Sequence, residues 1–153
     1  MSHVVFGLAV LLLAFLFAKV EIHIEGANGW AANLPTWRVK NKLTDIFYGG
    51  RPLTGYHLWL QLFVLAFSHL PFVLGTEWTW RAEALLVSFV ILFWIVEDFL
   101  WFVLNPHFGI AKFTKDNVWW HRHSWFLIAP REYFLMGGLA IALYAVGRGS
   151  LLA

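Results

Sequence analysis

Residues 94–123 read WIVEDFLWFVLNPHFGIAKFTKDNVWWHRH, and the fold turns on this stretch. Its first third is hydrophobic enough for a membrane, yet it carries two adjacent carboxylates, Glu97 and Asp98. Asn105-Pro106 then ends the helix, and His107, His121 and His123 follow. Carboxylates are costly in lipid and are tolerated where they face a bundle interior, a partner charge or a metal.

Working outward, the composition is that of an integral membrane protein. Of 153 residues 60% are hydrophobic and 13% charged, against a charged fraction of about a quarter in soluble domains. The mean hydropathy is +0.67. With no repeat and no low-complexity linker, one domain over 1–153 is expected. A net charge of +2 offers no footprint for nucleic acid. The absence of cysteine excludes disulfides, iron–sulfur clusters and thiol chemistry.

Four apolar segments, at about 4–25, 56–75, 81–104 and 133–150, predict an all-α integral membrane protein with a four-transmembrane-helix bundle. A span needs about 20 residues, so the last is the shortest. The first has the length of a signal peptide but lacks a basic start and a convincing cleavage site. It is therefore read as a retained helix. Arg38, Lys40, Lys42 and Arg51 fall between spans one and two, and Lys112, Lys115, Arg122 and Arg131 between three and four. The positive-inside rule places both aromatic-rich loops in the cytoplasm and both termini outside. The setting expected is the plasma (inner) membrane of a bacterium or archaeon, with several passes. Residues 26–55 interleave aromatic and basic positions, which suits a short interfacial helix against anionic lipid. Gly137-Gly138 is the expected close-packing point of the last span.

This topology maps Glu21, His23, Glu25, His57, Glu97, Asp98, His107, His121 and His123 to the inner end of the bundle. On a helix Glu21 and Glu25 share one face and His23 points away. His121 and His123 share a side only if extended. Imidazole with carboxylate suits iron, zinc or manganese, and bundles build such sites from inward-facing Glu and His. The expected reading is a metal-binding protein, a metalloenzyme acting on a lipid or other hydrophobic substrate. Glu97 and Asp98 are its candidate catalytic acids. Trp94, Trp101, Trp119 and Trp120 would line substrate entry, and Arg122 or Arg131 would bind an anionic headgroup. The placement is similar to that in membrane fatty-acid hydroxylases and desaturases, which carry histidines at the cytoplasmic end of a helical bundle. Their eight-histidine boxes are absent, as are H-E-x-x-H and E-x-x-H, so the comparison assigns no residue.

A competing reading is a non-enzymatic lipid-binding or accessory protein whose acids pair with His57, Arg122 or Arg131 as a polar lock. Proton-coupled transport through Glu97 and haem ligation by His57 are weaker options. Membrane lipids are the expected partners, with a homo-oligomer or a partner membrane subunit as further possibilities.

Overall fold

The computed structural model describes residues 2–48 and 50–149, so the expected end of the last span at 150 lies outside the described residues. The chain is mainly helical. Helix α1 (His3–Glu25) starts where Ser2 caps the Val5 N–H at 3.2 Å. It stops at Gly26, whose φ of +65° no β-carbon residue adopts cheaply. Helix α5 (Trp80–Leu104) is capped by Thr79 and ends at Asn105, since Pro106 bars continuation. Both are long and apolar enough to cross a membrane, with mean hydropathies of 2.3 and 2.2.

The other two expected spans are shorter. Helix α3 (Gly55–Ser68) has 14 residues, and the chain then kinks at His69 into the single turn α4 (Leu70–Val73) that contains Pro71. Helix α6 (Arg131–Arg148) has 18 residues and ends on Gly149 at φ +76°. Between α1 and α3 lies a two-stranded ribbon, β1 (Arg38–Val39) against β2 (Leu53–Thr54), enclosing the six-residue helix α2 (Lys42–Phe47). A second antiparallel ribbon, β3 (Trp125–Phe126) with β4 (Ala129–Pro130), leads into α6.

Helix α5 is the central element, flanked by α1 and α6. Ser88 donates to the Ala140 carbonyl at 2.8 Å, joining α5 to α6 in a fully buried contact. These helices approach closely at Gly147, where a β-carbon would stand 2.5 Å from Leu85 Cγ and 2.9 Å from the Arg81 carbonyl. At the expected close-packing point, Gly137-Gly138, a β-carbon on Gly137 would stand 4.0 Å from Ile95 Cδ1, an ordinary contact, and one on Gly138 would meet nothing within 4 Å. Helix α3 is held in its first half, by a bond from the Tyr48 hydroxyl to Gln61 Oε1 at 3.3 Å, and beyond its far end. Gly55 and His57 are its only buried residues, and beyond its far end His69 bonds Glu83 at 3.1 Å. It packs little against α5.

Both long loops lie at one end of the molecule. The Asn105 side chain ties them by donating to the Gly26 carbonyl at 2.8 Å. The loop after α5 packs as an aromatic core on the C-terminal ends of α1 and α5. Trp120 stacks on Phe102 (centroids 5.6 Å, 14°) and meets Trp101 edge-on, with Ala18, Ile22, Trp30 and Val118 around them. Burying aromatics of this size supplies most of the cohesion at this end, and it fixes the turn that carries His121.

Candidate functional site

The turn after α1 sets up the first half of the site. Gly29, Trp30 and Ala31 all adopt positive φ (+55°, +49° and +51°), a conformation that costs a residue with a β-carbon about 1–2 kcal/mol. The strain is held by three bonds: Ala31 N–H to the Glu25 carboxylate, Arg38 to the Ala31 carbonyl, and Trp30 Nε1–H to the Pro52 carbonyl at 2.9 Å. The result is a Trp30 indole fixed beside α3. His57 lies almost flat on it (4.0 Å, 18°), and the Arg51 guanidinium sits 4.1 Å from its centroid.

Glu21 and Glu25 lie on one face of α1, one turn apart, and both are buried. Together with His57 they form a group whose ligand atoms all lie within 4.8 Å of one another. Each has its own orienting partner. Tyr56 donates to Glu21 Oε1 at 2.8 Å, Ala31 N–H holds Glu25, and Thr54 Oγ1 lies 2.7 Å from His57 Nδ1. Such outer contacts fix ligand orientation in metal sites.

The second half comes from α5, the aromatic loop and α6. Asp98 Oδ2 accepts from Tyr133 and lies 3.2 Å from His121 Nε2. Arg51 approaches His121 equally from both ring nitrogens, at 3.4 Å, and donates to the Tyr48 carbonyl at 2.8 Å. Burial pushes the His121 imidazole below its ordinary range, and the Asp98 carboxylate pulls the other way. Burial likewise lowers the Arg51 pKa, opposed chiefly by Asp98.

One cavity of about 800 Å³ joins the two halves. Its walls include five carboxylates (Glu21, Glu25, Glu97, Asp98 and Glu132) against one guanidinium, Arg51. Among the described residues three buried side-chain atoms have no hydrogen-bond partner: Glu97 Oε1, Trp101 Nε1 and Glu132 Oε2. All three belong to side chains lining this cavity. Glu97 itself is only 3% exposed.

The structure thus brings Glu21, Glu25, His57, Glu97, Asp98 and His121 to one place, with Trp94, Trp101 and Trp120 in its walls. It does not bring in the others. His23 is exposed and bonds back to the Lys19 carbonyl, because it sits two residues from each acid and faces away. His107 is exposed beyond the Pro106 turn. His121 lies in a tight helical turn rather than an extended segment, so His123 points outward while His121 is buried. Trp119 is half exposed, Arg122 pairs with exposed Asp116 at 3.5 Å, and Arg131 is exposed. None of these lines the cavity. In their place stand Trp30, Arg51, Thr54, Tyr56 and Tyr133. For these the sequence offered only positional hints, such as Tyr133 opening the last helix.

Comparison with protein-family models, with curated proteins and with solved structures finds no match to this chain.

Proposed function

We propose that the protein is a membrane-embedded metalloprotein in which Glu21, Glu25 and His57 hold iron, zinc or manganese, and that it acts as an enzyme on a lipid-like substrate. The observation that carries this reading is the cavity itself. It holds an excess of buried carboxylate and contains every unpartnered buried side-chain atom among the described residues. Buried charge without compensation is strongly unfavourable, and unpartnered buried polar atoms are rare. A divalent cation beside Glu97 would offset the carboxylate charge and give Glu97 Oε1 a partner, whereas the Trp101 indole N–H, a donor, calls for an acceptor instead. Thr54 already accepts the His57 backbone N–H at 3.1 Å. If it accepts Nδ1–H as well, the Nε2 lone pair is left free on the side of Glu25. Bound there, the metal would supply Lewis acidity or activation of water or oxygen. Asp98, His121 and Tyr133 form a proton-holding chain across the same cavity.

The membrane setting rests on α1 and α5. Only 22% and 28% of their most apolar windows are buried within the chain, so their apolar faces look outward, where a soluble protein would meet water. Four alternating helices with both long loops at one end fit the four-span, N-out and C-out arrangement in the plasma membrane.

A second reading has its own support. Glu21, Glu25 and His57 each already have an internal partner, which suits a metal-free polar lock in a lipid-binding or accessory protein.

Elemental analysis of the detergent-purified protein separates the two. Near-stoichiometric iron, zinc or manganese is expected, falling at least about tenfold in His57→Ala and Glu97→Gln. A wild type that stays metal-free after reconstitution with each ion, with Glu97→Gln altering stability alone, would establish the lock instead.

A further inference from the structure

A second cavity of about 670 Å³ lies between α1, α3, α4 and α5. Ser68 is the only polar residue in its wall, and its hydroxyl is turned back to the Leu65 carbonyl at 2.7 Å. Water gains nothing there, and the groove lies against the two helices that are apolar enough to span a membrane.

The groove and the acid-lined cavity follow one another along the same faces of two helices. On α5, Leu86, Val90 and Phe93 line the groove, and Glu97, on the same helical face, lines the site. On α3 the same succession runs from Ser68 and Val64 to Gln61 and His57. Each strip advances 11 positions along its helix, so the path is about 16 Å long, close to one leaflet's half of a hydrocarbon core about 30 Å thick. Phe17, Phe93 and Trp94 meet at centroid distances of 5.0–5.6 Å where the two spaces adjoin. At the far end α4 and the residue that follows it contribute Leu70, Pro71 and Leu74 to the wall. At the near end Arg51 lines the site, its guanidinium set over the Trp30 ring and bonded to the Tyr48 carbonyl.

We infer that the groove seats one acyl chain of a membrane phospholipid and leads it to the Glu21–Glu25–His57 site, with α4 limiting how far the chain reaches. The metal-site reading supplies the chemistry at the inner end of this path, whereas the chain-binding claim is tested without it.

The test uses the full chain in vesicles of phosphatidylglycerol bearing a photoreactive diazirine at the end of one acyl chain. Adducts are mapped by peptide mass spectrometry, and metal content is measured on the same samples. Adducts are expected at Leu86, Phe89 and Val90, enriched at least about fivefold over outward-facing Leu12 and Leu135. The filling variants Val64→Phe and Val90→Phe, made singly so that a misfolded one leaves the other, are expected to cut groove adducts about fivefold at unchanged metal content. Even labelling of groove and outer faces, adducts indifferent to filling, or labelling obtained only with free diazirine-palmitate would overturn the inference. Groove adducts in a metal-free protein would uphold it and overturn the metal site alone.

Discussion

The His57 imidazole lies on the Trp30 indole with the rings 4.0 Å apart and 18° from parallel. Stacking fixes the plane of the imidazole, and Thr54 fixes its rotation within that plane through the 2.7 Å contact to Nδ1. The direction of Nε2 toward Glu25, 3.7 Å away, is therefore set by residues outside the acid cluster.

Thr54→Val keeps the shape and removes the hydroxyl. It is expected to weaken metal binding by about 10–100-fold, the usual effect of losing an orienting partner. The lost helix cap costs about 1 kcal/mol as well. Thr54→Ser retains both functions and should bind as the wild type does. Competition with a chelator reads the affinities, and equal affinity in all three proteins would remove Thr54 from the site.

His121 gives the protein a defined pH response. Its imidazole is held below the ordinary value of 6.5 by burial, so the unfolded chain takes up the proton more readily than the folded one. Stability from this group is complete above about pH 6.5 and is lost as the pH falls. The thermal midpoint should drop between about pH 7.5 and about pH 5.5, and more steeply in the wild type than in His121→Gln. Parallel pH profiles of the two proteins would refute the assignment.

Gly29→Ala tests the strained turn. The new β-carbon would meet Trp120 Cη2 at 2.5 Å, at a backbone φ of +55°. Trp120 is stacked on Phe102 and cannot yield. A loss of about 2 kcal/mol or more is expected, read as a lowered midpoint in tryptophan fluorescence. Unchanged stability would mean that the loop and the turn are not tightly packed.

The outline of α1 and α5 was legible in the sequence because uninterrupted apolar runs, Gly26 and Asn105-Pro106 mark their course and ends without help from tertiary contacts. The pairing of Glu21 with Glu25 was legible from helical spacing, and His57 from its place at the start of the next helix. Trp30 was not: its role depends on three consecutive left-handed residues, which Gly29 alone does not announce. Nor was the separation of His121 from His123, which hangs on whether a three-residue segment coils or extends. Arg51 served in the sequence only as a topological charge. Its burial arises from contacts with Trp30 and His121, the latter 70 positions distant.

Because α3 packs little against α5, the opening between them faces sideways. In a bilayer such an opening samples molecules that diffuse in two dimensions. Occupancy is then governed by the mole fraction of a lipid in the surrounding leaflet, and aqueous concentration is the wrong variable. Dilution into detergent micelles would then empty such an opening of lipid while leaving every residue intact.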